Sequence, residues 1–472
     1  MQLDPESCYQ ALISRDPRFD GLMFVGVSST GIYCRLVCTS RRPLRKNCTF
    51  YQNTASAEQA GFRPCLRCRP ELAPGNSLVD SRNRLAVALA RRIEDGALND
   101  LSVPQLAGEM GIGERHLRRV IQDEFGVSPN KLLETQRLLA AKLLLTDTAM
   151  PIIDVAFASG FGSLRRFNDA FRTNYRLNPS EFRNGTGKAN DGRLRFELAY
   201  RPPLDWEAML EFLSARLYAG AETVTAGAYL RTVDLGGRTG WLRVEPAASG
   251  HALRVELAPQ LGRVVPLVLR RVRRLFDLGA EPQRIAKRLG KLARKHPGLR
   301  LPGAFDGYEV AVRAVLGQQI SVKAATTLAG RFAAAFGKTV QTPFAELTRL
   351  VPTAATVAKA APEALTAIGV TSARARTLEV ISRAMAENPH LLEPGADIEA
   401  ALARLKALPG IGEWTAQYLA MRAFSWPDAF PATDLGIRKA LGSDNEREVL
   451  AKAEAWRPWR GYAAMHLWRS LR

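Results

Sequence analysis

The chain has 472 residues, 46% of them hydrophobic, with 66 Lys and Arg against 46 Asp and Glu, a net charge of +20 and a pI near 10.1. The hydrophobic share excludes a disordered chain, and the length, enough for three or four domains with cores of their own, excludes a lone module stapled by cysteines. No run of roughly 18 apolar residues occurs, Asp4 and Glu6 stand where a signal peptide would be basic, and the positive charge is spread through every segment; a soluble cytoplasmic chain with no membrane partner and a polyanionic one, nucleic acid first, is expected.

Five of the six cysteines fall between Cys34 and Cys68, and the sixth is Cys8. Cys34 and Cys38 form a CxxxC, and Cys65 and Cys68 a CxxC, with 26 residues between the pairs. Each pair brings two thiolates within reach of one tetrahedral ion, and in a reducing compartment this favours zinc over disulfides. Cys8 and Cys48 have no such spacing. The flanking residues, Gly31-Ile32-Tyr33-Cys34-Arg35-Leu36-Val37-Cys38 and Gly61-Phe62-Arg63-Pro64-Cys65-Leu66-Arg67-Cys68, resemble the zinc-binding methyl-acceptor domain of the Ada family of alkylation-response proteins over about residues 5–75. The resemblance implies one Zn2+ on Cys34, Cys38, Cys65 and Cys68, with Cys34 also the nucleophile that takes a methyl group from a methylated DNA phosphate. One departure is Leu36, where the family's usual residue is proline.

From Ser81 to Arg183 the pattern is helical. Ser102 caps a helix with Pro104 in its first turn, Leu106 and Ala107 face inward, Gly111 makes a turn, and Arg115, His116, Arg118 and Arg119 follow on the next helix. The same plan returns about 49–50 residues later with Val155, Ala156, a turn at Gly160, then Ser163, Arg165, Arg166, Phe167 and Asn168. A long apolar helix from Leu132 to Leu145 is predicted to space the two units along one DNA face. Ending in Asn178-Pro179-Ser180-Glu181-Phe182-Arg183, this order resembles the AraC-type activator domain. The resemblance implies that each second helix enters a major groove, with Arg115, His116, Arg118 and Arg119 in one unit and Ser163, Arg165, Arg166 and Asn168 in the other as the candidates for contact with bases or phosphates.

Residues 184–193 are polar and glycine-bearing, a linker. Strand-like alternation follows from Leu194 to Leu257, and from about Pro266 the pattern is helical to the end. Within it, Leu408-Pro409-Gly410-Ile411-Gly412 opens an apolar helix, Glu413-Trp414-Thr415-Ala416-Gln417-Tyr418, and Asp434 starts another. Two glycines ahead of a helix leave backbone N–H groups free to hold a phosphate. Together with Leu316-Gly317-Gln318-Gln319-Ile320-Ser321 and Trp459-Arg460-Gly461-Tyr462 followed by Trp468, this pattern resembles the AlkA-like 3-methyladenine glycosylases of the helix-hairpin-helix superfamily over residues 194–472. The resemblance implies Asp434 as the catalytic carboxylate and Trp414, Tyr418 and Trp468 as an electron-rich pocket for a cationic base. It puts Gly410 and Gly412 on the DNA backbone, Gln319 in the base stack, and Trp459–Tyr462 with Trp468 at the far wall of the pocket. Backbone-cutting relatives carry a lysine where Trp414 stands, so a monofunctional enzyme is expected.

The expected fold is multidomain and mainly α. It comprises a small zinc-bound α+β domain (1–78), an AraC-type double helix-turn-helix (81–183), a small antiparallel α+β domain (194–265) and an all-α helix-hairpin-helix glycosylase domain (266–472). The expected function is alkylation repair joined to its regulation: a glycosylase excising N-alkylated purines such as 3-methyladenine, fused to a methylphosphotriester-sensing activator. The expected setting is a monomer on damaged and promoter double-stranded DNA in the cytoplasm, associated with the nucleoid and contacting RNA polymerase. The competing expectation is an activator whose glycosylase half only binds DNA. Five scattered histidines argue against a metal hydrolase, and no Pro-Cys-His-Arg motif marks an alkylguanine transferase.

Overall fold

The computed structural model describes residues 4–75, 84–94, 96–184, 194–248, 250–393 and 397–471; the start of the second predicted domain at Ser81 and nearly all of the predicted linker lie outside them. Two compact units form: residues 1–202 with 247–270 and 278–280, and residues 203–246 with 271–277 and 281–472. No helix among the described residues is long and apolar enough to cross a membrane.

In the first unit a four-stranded sheet carries the cysteines. Its strand order is Cys48–Tyr51, Phe24–Val27, Ile32–Arg35, Arg63–Pro64, antiparallel except for the last pair. Cys8 and Cys48 are buried in the apolar cluster under this sheet, and burial pushes both thiols up, so they act as small core residues. Leu36, the departure from the family pattern, is fully buried in the same cluster and fills the core in proline's place.

Two helix pairs follow, Val103–Glu109 with Glu114–Phe125 and Ile152–Ala158 with Leu164–Tyr175, and the predicted duplication is seen in their matching lengths. Ser102 and Gln105 form a reciprocal capping box, and Gly111 and Gly160 turn the chain at φ +69° and +88°. An aromatic ladder of Phe161, Phe167, Phe171 and Tyr175, with centroids 4.6 to 5.6 Å apart, builds the second pair's core, with Phe182 packed edge-on to Phe171. Between the pairs runs the helix Pro129–Asp147.

That helix also docks the cysteine sheet through buried polar contacts. Tyr33 and Thr135 donate to the two oxygens of Glu58 at 3.1 and 2.8 Å, Lys142 pairs with Glu71 at 2.6 Å, and Arg69 forks onto Asp147 at 2.8 and 2.6 Å. Burial by itself would raise Glu71, but Lys142 and Arg69 outweigh it and hold this carboxyl below its usual range. Each pair is satisfied, as a buried charge must be. In the same unit, strands Leu194–Ala199 and Ala252–Leu257 pair antiparallel.

The second unit opens with the helix Trp206–Ser214 and a meander of Glu222–Thr225, Ala228–Leu235 and Arg238–Pro246. Among the described residues from Glu281 onward the chain is helix and connection, apart from two isolated bridges, Thr339 to Arg349 and Leu347 to Gly220. Buried Arg300 donates to the carbonyls of Asp277 and Pro203, fastening the loops under the helical half.

Candidate functional sites

The four sulfurs of Cys34, Cys38, Cys65 and Cys68 lie within 4.8 Å of one another. A tetrahedral Zn–S distance of about 2.3 Å places thiolates roughly 3.8 Å apart, so the cluster fits a zinc ion with little adjustment. Hydrogen bonding among the four sulfurs pushes the Cys34 thiol up and holds Cys38 down. The Arg35 N–H donates to Cys68 Sγ at 3.3 Å, and the Arg35 guanidinium reaches the Cys68 carbonyl at 3.1 Å and buried Asp20 at 2.8 Å, locking the two cysteine pairs together.

On the second helix of each pair, Leu117, Val120 and Phe167 point inward, while Arg115, Arg118, Arg119, Arg165 and Arg166 are exposed. Arg118 is tethered to Glu114, an i,i+4 pair on the solvent face.

In the second unit the hairpin joins the helices Ile398–Lys406 and Glu413–Arg422. Gly410 has φ +85°, and a Cβ there would stand 1.9 Å from Thr377 Oγ1, so conformation and space both require glycine. Gly412 begins the second helix with no side-chain cap and open space around it, leaving N–H groups facing out. Gln318 ties the neighbouring turn to this hairpin: its side-chain N–H donates to the Gly410 carbonyl at 3.0 Å and to Thr415 Oγ1 at 3.1 Å. Gln319, at φ +55°, is exposed. Of two adjacent glutamines, one anchors and the other projects. The sequence pointed to Gln319 and missed Gln318.

Asp434 is the N-cap of the helix Leu435–Leu441. Its Oδ1 accepts the Ile437 N–H at 3.0 Å and the Trp468 indole N–H at 2.8 Å, and its Oδ2 accepts the Trp414 indole N–H at 2.8 Å. The carboxylate is therefore held by three donors from three places in the chain. Trp414 stacks on Tyr418 with centroids 5.2 Å apart and planes 10° apart, and Trp468 leans toward Tyr418 at 6.5 Å. Buried Tyr418 accepts a hydrogen bond from Arg422 at 2.8 Å; burial alone would raise this phenol, but Arg422, Arg216 and Arg313 together pull it below its usual range. Arg422 in turn donates to the Pro302 and Gly303 carbonyls. Gly436 packs against the pair: a Cβ there would lie 3.1 Å from Asp434 Oδ1 and 3.2 Å from Trp468 Cδ1.

The predicted Asp434, Trp414, Tyr418 and Trp468 thus meet. The run Trp459–Tyr462 has other commitments. Arg460 forks onto buried Asp428, Tyr462 donates to Asp277 and Trp459 is buried near Arg284, so within this run and its sequel Trp468 alone bonds to Asp434.

A cysteine-zinc module, a double helix-turn-helix and a hairpin beside a capped carboxylate define a DNA-binding repair protein joined to a metal-dependent regulator. Family models match in the same order: "Metal binding domain of Ada" over residues 7–71, "Helix-turn-helix domain" over 106–185, "AlkA N-terminal domain" over 195–306, and "HhH-GPD superfamily base excision DNA repair protein" over 312–458. A Mycobacterium tuberculosis protein described as "Probable bifunctional transcriptional activator/DNA repair enzyme AlkA" is 39% identical over 100% of this chain and 97% of its own length. The Escherichia coli "DNA-3-methyladenine glycosylase 2" is 37% identical over 58% of this chain and 96% of its own. The fold of a 3-methyladenine DNA-glycosylase from Archaeoglobus fulgidus superposes with a TM-score of 0.51 at 24% identity, covering 58% of this chain and 97% of that one. The chain belongs to the family of bifunctional transcriptional activator/DNA repair enzymes of the AlkA type, with an Ada-type domain that binds one zinc through its four clustered cysteines.

Proposed function

We propose that residues 194–472 excise N-alkylated purines such as 3-methyladenine, and that residues 1–183 sense methylated DNA phosphates and activate transcription. The observation that carries the first half is the Asp434 carboxylate, fixed by Trp414, Trp468 and its own helix beside stacked aromatics. An N-alkylated purine already bears positive charge, so it leaves with the glycosidic electron pair and little acid catalysis. Trp414, Tyr418 and Trp468 offer electron-rich faces to that cation. Asp434 stabilises the oxocarbenium-like sugar as it develops, and water then adds to give an abasic site. The hairpin N–H groups at Gly410–Gly412 hold the DNA backbone, and Gln319 fills the stack beside the flipped nucleotide. With Trp414 where a lyase would carry lysine, the strand is left uncut.

In the sensor, the Cys34 sulfur attacks the methyl carbon of a phosphotriester. A new S–C bond forms, the O–CH3 bond breaks, and its electrons restore the phosphate's negative charge. Held on zinc with Cys38, Cys65 and Cys68, that sulfur stays a thiolate at neutral pH. The exposed Arg115, Arg118, Arg119, Arg165 and Arg166 then reach promoter DNA. The domain limits 1–78, 81–183, 194–265 and 266–472, a monomeric state, a cytoplasmic, nucleoid-associated location and contact with RNA polymerase complete the proposal; the order of the matched family segments supports the division.

The test is single-turnover base release from duplex DNA by wild type and Asp434→Asn, alongside methyl uptake by wild type and Cys34→Ser. No base release by the wild type would leave an activator whose glycosylase half only binds DNA.

A further inference from the structure

Between Pro282 and Phe305 the chain has seven Lys and Arg and no Asp or Glu. Three of the seven are engaged. Arg284 pairs with Glu281, Arg288 donates to the Arg457 carbonyl, and Arg300 is buried on backbone carbonyls. The other four, Lys287, Lys291, Arg294 and Lys295, are exposed, and none forms an ion pair with a described carboxylate.

Local structure forces them outward. The helix Pro282–Leu289 buries Ile285 and Leu289, which leaves Lys287 and Arg288 on the solvent side. Gly290 then ends the helix at φ +58°, and a 3-10 turn buries Ala293 while Lys291, Arg294 and Lys295 stay out. This turn packs on the helix Arg460–Arg469, and the His296 ring lies 3.2 Å from Nε of Arg469, the residue after Trp468. The cationic surface therefore borders the helix that supplies one wall of the pocket.

We infer that Lys287, Lys291, Arg294 and Lys295 form a second DNA-backbone contact, holding phosphates of the same duplex whose lesion enters the Asp434 pocket. The inference rests on the glycosylase reading of that pocket. Duplex DNA presents a phosphate charge about every 1.7 Å along its axis, so backbone flanking a flipped base runs past any surface beside the pocket. The chemistry favours DNA over an acidic protein partner. The stretch exposes no large apolar side chain of the kind that anchors protein interfaces, and flexible ammonium groups suit phosphates that carry no sequence information. Such a contact lengthens the footprint beyond hairpin and wedge, and it raises affinity for damaged and undamaged DNA alike.

The experiment compares the full-length chain with the quadruple variant Lys287→Gln, Lys291→Gln, Arg294→Gln, Lys295→Gln. Equilibrium binding to a short duplex carrying a tetrahydrofuran abasic analogue is measured across a salt series, together with the saturating rate of alkylpurine release. Each lost phosphate contact removes about 0.9 from the slope of log affinity against log salt, so the variant's slope is expected to be shallower by roughly three to four. The affinity gap between the proteins should then close by on the order of a hundredfold between about 50 and 200 mM salt. The saturating release rate should stay within about twofold, since ground-state backbone contacts act on binding. A charge-keeping variant, Lys287→Arg, Lys291→Arg, Arg294→Lys, Lys295→Arg, should restore the slope. A quadruple-variant slope within about one of wild type would overturn the inference, as would an equal loss in the charge-keeping variant, which would mark a folding defect. Absence of base release by the wild type would overturn the glycosylase reading alone, because the slope is read from binding.

Discussion

Replacing Asp434 by Asn tests the glycosylase most sharply, because the structure lets its effects on rate and stability be separated. On the proposed mechanism the carboxylate charge acts on the cationic sugar at a contact distance of about 3.5 Å; at an effective dielectric near 20 that is worth roughly 4–5 kcal/mol, or about a thousandfold in rate. The amide also meets a local conflict. Its oxygen can keep the Ile437 and Trp468 N–H groups, but its NH2 then faces the Trp414 N–H across 2.8 Å, donor against donor. A fully buried orphaned donor costs about 1–3 kcal/mol of stability, and at the half-buried Trp414 the loss falls toward the lower end of that range. Trp414→Phe removes that opposing N–H while keeping an aromatic ring on Tyr418, so the double variant should recover stability without recovering rate. Trp414→Phe alone should slow release on the order of tenfold, since it loses one charge-assisted hydrogen bond of about 1.5–3 kcal/mol and only part of that bond's value is felt in positioning. Single-turnover alkylpurine release and urea unfolding of all four proteins form the cycle. Asp434→Asn releasing base within tenfold of wild type would refute a charge-based role, and a double variant that regains rate would show that Asn failed by distortion instead.

Other consequences are open to measurement. Gly436→Ala brings a Cβ to 3.1 Å from Asp434 Oδ1 and 3.2 Å from the Trp468 ring, so release should fall at least tenfold by displacement of indole from carboxylate while DNA affinity holds; an unchanged rate would mean that the Trp468 contact does not matter. The purified protein should hold one zinc, and metal analysis of Cys65→Ser and Cys68→Ser finding the same content as wild type would remove the site. Methylation of Cys34 takes the four-thiolate zinc from a formal charge of −2 to −1, worth roughly 1–2 kcal/mol against a phosphate about 10 Å away; promoter affinity should rise on the order of tenfold at low salt, and equal affinities of the two forms would refute the switch. Burial pushes Glu58 from an ordinary 4.5 up to about 7, against the pull of the Thr135 and Tyr33 hydroxyls and of Lys131, with Glu134 adding to the rise. The folded state thus holds a proton that the unfolded state releases. This stabilisation of about 3 kcal/mol is complete below the unfolded value and disappears as pH climbs through about 7. Glu58→Gln should flatten the decline in the first unit's urea midpoint between about pH 4.5 and 8, and an equally steep decline in the variant would exclude Glu58 as its source.

What could be read from sequence was what the chain encodes locally. Cysteine pairs with two or three intervening residues announce a metal site wherever the rest of the chain goes, and the two helix-turn-helix units are fixed by their own caps, glycines and inward apolar residues. The strand Leu194–Ala199 alternates inward Leu194, Phe196 and Leu198 with outward Arg195 and Glu197, the period a half-buried strand must have. The docking of sensor on helix was not legible. Glu58 meets Thr135 across 77 positions and Lys142 meets Glu71 across 71. Taken singly, each of these side chains looks like an ordinary surface polar residue. Only tertiary packing buries them, and once buried they must pair.

The same division runs through the Asp434 site and explains why its residue types were visible while the contacts among them were not. Trp414 and Tyr418 lie one helical turn apart, so their stacking follows from spacing alone. Asp434 and its two tryptophans are 20 and 34 residues apart, and no periodicity relates them. The sequence therefore suggested aromatic faces for a base, whereas the fold turns the edges of those same rings onto the carboxylate. The two tasks are compatible because an indole's donor lies in its plane and its electron-rich face is perpendicular to it. One ring can thus orient Asp434 while offering its face to a cationic purine. Phenylalanine at position 414 or 468 keeps the face and loses the edge. If the edge contact serves catalysis, those substitutions must lower the release rate more than they change the preference among lesions, which the face alone would set.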